Sequence, residues 1–137
     1  MSEQNVAIVR ALFESGGAAS KEAILAALPE IIPAWFDPDA EWIEAPERVD
    51  AKTHRGHDGI RESFEHWLAQ WGEYQIEAER FEDHDDQVLV VAHELGEGHG
   101  SGASTEATIY AVVTFRDSKV IRYREFYDES AARASIN

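Results

Sequence analysis

The stretch QVLVVAHELGEGHGSGASTEATIYAVVTFRDSKVIRYREFYD, residues 87–128, carries the strongest structural signal in this chain. It contains two long runs of strand-forming residues joined by a glycine-rich bend, then a tight turn that leads into a last strand. Alternation along that last strand places Tyr123, Glu125 and Tyr127 on one face. Ionisable side chains on the face towards a core are typical of a strand that lines a pocket.

The composition indicates one globular domain. With 137 residues, of which 44% are apolar, the chain is long enough for one sizeable core, whereas two domains would each be near the lower size limit. We therefore expect a single domain over residues 1–137. The chain has no cysteine, which excludes disulfides, thiolate metal ligands and thiol nucleophiles.

Charge and hydropathy narrow the classes of partner. The formal net charge is -15, and because nucleic acids and anionic membranes are bound mainly through Lys and Arg, we expect neither as a partner. The first residues, Met1 to Gln4, are polar and acidic, unlike a secretory signal. No apolar run approaches the ~20 residues that cross a bilayer. These patterns predict a cytoplasmic protein.

Helical patterns dominate the first part of the chain. Apolar residues recur at helical spacing up to Phe13, and Gly16 and Gly17 follow as a helix end. Ser20 is predicted to cap a second helix over residues 21–28, which then meets a proline.

The middle of the chain contains a strand and another helix. Residues 40–44 form the predicted first strand, after the turn signal of residues 37–39. Asp58 is the predicted N-cap of a helix over residues 59–71, whose apolar side chains, Trp67 among them, fall on one stripe.

Four hairpin-connected strands complete the predicted fold. They are expected at residues 74–81, 87–97, 105–115 and 119–127, and a short helix begins at Glu129. Helices followed by consecutive strands indicate an α+β domain in which helices cover one face of an antiparallel sheet.

The register of the last hairpin depends on its turn. A two-residue loop at Asp117 and Ser118 would pair Thr114 with Ile121, whereas a bulge at Ser118 would pair Val113 with Ile121. We predict the bulge, because it gives the more consistent faces. The face towards the core then carries Ile109, Ala111, Val113, Ile121, Tyr123, Glu125 and Tyr127.

Alternation also divides the strand over residues 87–97. Its more apolar face holds Leu89, Val91, His93 and Leu95, so we predict that His93 points inward and Glu94 outward.

Three motifs carry a family resemblance: RGHDGIR at residues 55–61, GHGSG at residues 98–102, and FRDSKVI at residues 115–121. With this order of elements, the chain resembles the SnoaL-like branch of the nuclear-transport-factor-two superfamily, which includes ketosteroid isomerase and polyketide cyclases. The resemblance implies a cone-shaped domain, in which a curved sheet wraps around the N-terminal and central helices. It also implies an internal pocket, and commonly a homodimer through the outer sheet face.

The resemblance implies positions for acid–base residues as well. Ketosteroid isomerases carry a general-base aspartate just before a proline, after the first strand, and Glu44 stands at about that place. Their oxyanion tyrosine lies on the first helix, where this chain has Val9 and Arg10. Their protonated aspartate lies on the penultimate strand, where this chain has Ala111. Because both groups are missing, the isomerase reaction itself is not expected. Asp128 is nearest to the cyclase aspartate, but it is better suited to cap the last helix.

We predict a small-molecule protein with a largely apolar pocket. Glu44 and Glu125 are the candidate bases, because an apolar pocket raises the pKa of a carboxyl group, and Tyr123 would hydrogen-bond a developing oxyanion. For Glu125 a salt bridge with a neighbouring arginine is an equal alternative. The predicted substrate-contacting residues are Trp42, His93, Tyr127, Phe13, Trp67 and Ile109.

The expected chemistry is proton transfer on a hydrophobic small molecule, without a cofactor: isomerisation, cyclisation or dehydration. His54 and His57 lie on a predicted loop without rigid spacing, so we predict no metal site. The alternative is a non-catalytic ligand-binding or dimerisation module, and fold analogy alone does not choose between the two.

Overall fold

The computed structural model describes residues 2–14, 19–100 and 103–136. Two predicted features lie outside these residues: the helix end at Gly16 and Gly17, and the part of the glycine-rich bend formed by Ser101 and Gly102. The described residues form four helices, α1 (Ser2–Glu14), α2 (Lys21–Trp35), α3 (Gly56–Ala69) and α4 (Glu129–Ala134), and seven strands, β1 (Ala19–Ser20), β2 (Phe36–Ile43), β3 (Thr53–Arg55), β4 (Trp71–His84), β5 (Gln87–Gly98), β6 (Ser104–Arg116) and β7 (Lys119–Phe126).

All seven strands belong to one sheet, in the order β1-β4-β5-β6-β7-β2-β3. The predicted α+β class is confirmed. The expectation of a purely antiparallel sheet is wrong at one place, because β2 and β7 run parallel. These two strands are remote in sequence, so no hairpin fixes their relative direction.

Helices α1, α2 and α3 cover the inner face of the sheet. Each contributes fully or nearly fully buried apolar side chains to one core, for example Val9, Leu28 and Ile60. The strands supply the opposite wall of that core, including Val90 of β5 and Val113 of β6. Because the helices lie inside the curve of the sheet, a side chain on the inner face is remote from water.

Helix α2 begins as predicted and ends later. The Ala23 N–H donates to Ser20 Oγ at 3.2 Å, which confirms the N-cap. The predicted end at Pro29 is wrong, since the helix continues through Pro29 and Pro33 to Trp35. Both prolines lie on the exposed face, where carbonyl groups that lose an N–H donor can bind water.

Helix α3 begins three residues earlier than an Asp58 cap would allow. Its N-cap is Arg55, which makes no side-chain capping bond, and Asp58 lies in the first turn. The chain enters the helix through Gly56, whose φ of 73° is a conformation that glycine adopts without strain. The predicted N-cap is therefore wrong.

The last hairpin combines features of both predicted registers. Its turn is a two-residue loop, in which Asp117 and Ser118 both have positive φ, 52° and 65°. Phe115 pairs with Val120, but Thr114 pairs with Arg122, so the bulge lies at Ile121 and not at Ser118. Beyond the bulge the predicted faces hold, since Tyr123 and Glu125 are both buried on the inner side. The predicted inward position of Ile121 is wrong: Val120 packs in the core instead, because the extra residue shifts the alternation by one.

The predicted faces of β5 are wrong. Glu94 is opposite Ala107 and points inward, where it is buried. His93 points outward and pairs with Glu106 at 2.9 Å. The more apolar face was predicted to point inward, but both faces of β5 are buried over much of its length. On the outer face, helix α4 covers Leu89.

Helix α4 closes part of the outer sheet face. Asp128 accepts a hydrogen bond from the Ser130 N–H at 3.2 Å, which confirms its role as the cap of this helix. Leu89, Val112, Phe126 and Ala132 form a small second core beneath it. Among the helices of the described residues, none is long and apolar enough to cross a membrane.

We predict that Ser118→Gly stabilises the protein by about 1 kcal/mol. Both turn residues adopt a left-handed conformation that costs a residue with a Cβ atom about this much. Urea unfolding would measure the change. The matched control is Ser104→Gly in the extended strand β6, which should lower stability by about 0.5–1 kcal/mol because glycine gains freedom when unfolded. A lower unfolding midpoint for Ser118→Gly would contradict the turn conformation.

Candidate active site

The inner face of the sheet and helices α1, α2 and α3 line a partly open cavity of about 90 Å³, which we call the central cavity. Its walls are mostly aromatic and aliphatic. Besides the hydroxyl-bearing tyrosines Tyr74 and Tyr123, the polar residues in the lining are Arg48, Ser63 and Glu125. The complete lining is Phe13, Ile24, Ala27, Ile31, Trp42, Arg48, Ser63, Phe64, Trp67, Leu68, Tyr74, Ile76, Tyr123 and Glu125.

Glu125 is the carboxylate of the central cavity. It comes from the inner face of β7 and is only 7% exposed. Its Oε1 accepts hydrogen bonds from Trp42 Nε1 at 3.3 Å and from Arg48 Nη1 at 2.7 Å. Its Oε2 accepts none from the residues that the structure describes. One oxygen therefore fixes the orientation of the carboxylate, while the other is available to a ligand.

The environment of Glu125 raises its pKa from 4.5 to about 7. Burial is the largest cause, because desolvation disfavours the ionised form. The positive charge of Arg48 and the bond from Trp42 lower the pKa, whereas the negative charges of Glu94 and Glu44 raise it. The net result is a carboxyl group that can take up or release a proton near neutral pH.

Arg48 is the central cation of the site. It belongs to the loop between β2 and β3, and its side chain is 10% exposed. The guanidinium donates to Glu125 and, at 3.0 and 3.1 Å, to the Tyr127 hydroxyl, and it lies 3.6 Å from Glu94. It also lies 3.7 Å from the ring centroid of Trp67, at cation–π distance.

Glu94 is the second buried carboxylate. It accepts hydrogen bonds from the hydroxyl groups of Tyr74 and, at 3.0 Å, of Tyr127. Burial, followed by the charge of Glu94, raises the pKa of both tyrosines above the ordinary value, so both stay protonated donors. Arg48 thus bridges two carboxylates that come from different strands, β5 and β7.

Trp42 and Tyr123 form one wall of the central cavity. Their rings are stacked, with centroids 3.9 Å apart and planes inclined by 7°. Burial, followed by the charges of Glu125 and Glu94, raises the pKa of Tyr123 well above the ordinary value. The Tyr123 hydroxyl makes no hydrogen bond with the described residues, so it can donate to a ligand.

Comparison with known proteins assigns the family. The sequence profile of the SnoaL-like domain matches residues 9–123, which is more than half of the chain. The chain belongs to the SnoaL-like family. This confirms the resemblance drawn from the sequence, and the family includes polyketide cyclases and ketosteroid isomerases. No match was found among curated protein sequences.

Solved structures share this fold over nearly the whole chain. A nuclear-transport-factor-two-like protein from Burkholderia xenovorans LB400 is 27% identical, with 100% of this chain and 98% of that chain covered and a TM-score of 0.66. A putative SnoaL-like polyketide cyclase from Jannaschia sp. CCS1 is 20% identical, with 98% and 92% covered and a TM-score of 0.75. TerC, which was co-crystallised with polyporic acid, is 23% identical, with 97% and 98% covered and a TM-score of 0.70.

This SnoaL-like domain brings together some of the residues predicted from the sequence. Those that line the central cavity are Phe13, Trp42, Trp67, Tyr123 and Glu125. Tyr127 does not line the central cavity. Its hydroxyl group accepts hydrogen bonds from Arg48 and donates one to Glu94. Ile109 is buried in the core and does not line the cavity.

Two predicted residues lie elsewhere. His93 points to the outer face and cannot contact a ligand in the central cavity, which corrects the prediction. Glu44 does not line the cavity either, since its Oε2 is 2.7 Å from His54 Nε2 and its Oε1 is 3.4 Å from the Lys52 nitrogen. Glu44 therefore acts on the site only through its charge.

Arg48 and Glu94 were missed by the sequence analysis. Arg48 stands in a polar loop with no periodic pattern, so nothing in the sequence marks it as buried. Glu94 had a usable signal: it is the only charged residue in the run VLVVAHEL, residues 88–95. Within the part of the chain that the structure describes, no group of three or more His, Asp or Glu side chains is arranged to hold a metal ion.

We predict that Glu125 makes folding stability fall as the pH rises. A carboxyl group whose pKa is higher in the folded protein contributes stability below its unfolded pKa and loses it as the pH rises through the folded value, here from 4.5 to about 7. At about 1.4 kcal/mol per pH unit, the loss amounts to about 3 kcal/mol. Urea unfolding of wild type and Glu125→Gln at pH 5 and pH 8 would measure it.

The relevant quantity is the difference in unfolding free energy between the two proteins. We expect wild type to lose stability relative to Glu125→Gln between pH 5 and pH 8. Glu77→Gln, at an exposed position of β4, is the matched control and should follow wild type. Parallel pH curves for wild type and Glu125→Gln would show that the carboxyl group is not perturbed.

Proposed function

We propose that this SnoaL-like domain is a cofactor-independent enzyme that moves a proton on a small, hydrophobic carbonyl compound. The observation that supports this most is Glu125: a buried carboxyl group that faces the central cavity, has Oε2 free, and has a pKa of about 7. A general base is most effective when its pKa lies near the working pH.

In the proposed reaction, Glu125 Oε2 takes a proton from the carbon next to the carbonyl group. The electron pair of the broken C–H bond moves into the carbonyl group, so negative charge develops on its oxygen. Returning the proton to another carbon completes an isomerisation. Passing it from Glu125 to a hydroxyl group on the next carbon, which then leaves as water while the electron pair returns from the oxygen, completes a dehydration. Each outcome needs only one acid–base group and stabilisation of the oxygen.

Arg48 and Tyr123 are placed to provide that stabilisation. Both line the central cavity, and the guanidinium has five N–H donors, of which the bonds to Glu125 and Tyr127 use three. The Tyr123 hydroxyl is a free donor with a raised pKa. Fixed donors in a site that excludes water stabilise developing charge strongly.

The dimensions of the central cavity favour a small ring. An engineered cavity of ~150 Å³ holds benzene, so the present 90 Å³ would have to widen for a ring to enter. TerC, a similar structure, was co-crystallised with polyporic acid, which supports an organic ligand for this fold.

A non-catalytic role as a ligand-binding or dimerisation module is the second candidate. The stacked pair of Trp42 and Tyr123 and the small cavity favour it, because both leave little room for a reacting substrate. In that case we propose a cytoplasmic homodimer formed through the outer sheet face, with a hydrophobic small molecule as the ligand.

We predict that the protein catalyses hydrogen–deuterium exchange in ketones. A panel of small cyclic and aromatic ketones would be incubated with the protein in D₂O, and mass spectrometry would follow deuterium uptake next to the carbonyl group. Glu125→Gln should lower the rate by at least about 100-fold, the range in which a general base contributes. The rate for wild type should rise with pH, with a midpoint near 7.

Two further variants test whether Glu125, and not Glu44, is the base. Glu44→Gln should keep the activity and shift the midpoint to lower pH, because the charge of Glu44 raises the pKa of Glu125. Arg48→Met should shift the midpoint upward, since the guanidinium lowers that pKa. If no ketone exchanges, while native mass spectrometry finds a co-purified ligand, the binding module is the better description.

A further inference from the structure

A second cavity, of about 230 Å³, lies at the end of the sheet where β5 and β6 approach the bend between them, and we call it the β5–β6 cavity. Its walls include four aromatic side chains, Trp67, Trp71, Tyr74 and Tyr127, and one carboxylate, Glu94. The proposed proton transfer uses neither this cavity nor Glu94.

The aromatic walls have a fixed arrangement. The ring of Trp67 is inclined to that of Trp71 by 69° with centroids 5.6 Å apart, and to that of Tyr74 by 87° with centroids 6.2 Å apart. Rings at these angles and distances pack edge to face, and the rings of Trp71 and Tyr74 are themselves 6.3 Å apart and inclined by 36°. The three rings therefore form one continuous aromatic wall of the cavity. The ring of Trp71 also requires Gly96, because a Cβ atom at that position would lie 2.5 Å from a ring carbon.

The buried groups around the cavity can carry more negative than positive charge. The buried cluster holds two carboxylates, Glu94 and Glu125, and Arg48 is the cation that contacts both of them. When both carboxylates are ionised, one negative charge has no counter-ion in the cluster. Desolvated charge of this kind favours a positively charged ligand and disfavours an anion.

The same groups already bind a cation of the chain. The guanidinium of Arg48 lies over the Trp67 ring, bonds to Tyr127 and lies 3.6 Å from Glu94. A carboxylate accepts about four hydrogen bonds, and Glu94 takes two, one from each tyrosine hydroxyl, so it has capacity for a further partner. Aromatic rings around a carboxylate are a suitable site for an ammonium group, which rings attract by cation–π interaction.

We propose that the β5–β6 cavity binds a small tertiary or quaternary ammonium compound, with Glu94 as its counter-ion and Trp67, Trp71, Tyr74 and Tyr127 as its walls. The cation lies beside Arg48, and together the two positive charges balance Glu94 and Glu125. The strongly acidic exterior, with a net charge of -15, attracts such a ligand from solution. The binding site is separate from the oxygen of Glu125 that the proposed reaction uses.

The test compares choline with 3,3-dimethylbutan-1-ol, which has the same shape and no charge. Isothermal titration calorimetry of the full chain should show that choline binds at least tenfold more tightly than the neutral alcohol. Glu94→Gln should reduce choline affinity at least tenfold and leave the neutral alcohol unaffected. Glu77→Gln removes the same charge from an exposed position, and it should bind choline like wild type.

A second measurement needs no variant at the site. In a choline titration of wild type followed by NMR, the indole N–H signals of Trp67 and Trp71 should shift together and saturate at the same concentration. Equal affinity for choline and the neutral alcohol, or no saturable shift of these signals, would overturn the proposal. Glu125→Gln should weaken choline binding less than Glu94→Gln does, because Glu94 lines the β5–β6 cavity and Glu125 does not. Deuterium exchange and choline binding are measured separately, so failure of the proton-transfer hypothesis and failure of this one are distinguishable.

Discussion

The interior of the domain is organised around Arg48, which lies between two buried carboxylates. Removing a guanidinium and a carboxylate from water costs several kcal/mol for each ion, and only close pairing compensates for it. Arg48 pairs with Glu125 at 2.7 Å and with Glu94 at 3.6 Å, and it covers the face of Trp67. Losing the arginine would leave both carboxylates buried without their cation.

That requirement explains the conformation of the β2–β3 loop. The loop is a compact turn, in which the Arg48 N–H donates to the Ala45 carbonyl at 3.0 Å and the Arg48 carbonyl accepts from the Ala51 N–H at 3.2 Å. Ala45 is fully buried, whereas Val49 is almost fully exposed. The turn therefore places the cationic side chain of Arg48 in the interior and the apolar side chain of Val49 in solvent. The buried carboxylates explain this arrangement, whereas the hydrophobic effect alone would favour the reverse.

The sequence predicts the elements well and the interior only in part. Glu125 and Tyr123 could be placed because alternation is regular from Arg122 to Glu125 and the turn at Asp117 and Ser118 is recognisable. Even there the bulge was assigned to the wrong residue, because two registers differ by only one position and the faces alone cannot locate it. His93 was placed inward because helix α4, which covers the outer face of β5, is far away in sequence.

The positions of Ala111 and Glu125 show how far the family resemblance predicts where a carboxyl group lies in this chain. Ala111 stands where the resemblance implies the protonated aspartate of ketosteroid isomerases, and it is directly opposite Glu125 in the β6–β7 ladder. Opposite residues on one face of a sheet have Cβ atoms about 5 Å apart, so a carboxylate on either strand reaches the same cavity. Burial and the neighbouring charges set its pKa, and both belong to the cavity more than to the strand. In this chain the candidate acid–base group therefore lies on the cross-strand neighbour of the position that the resemblance implies.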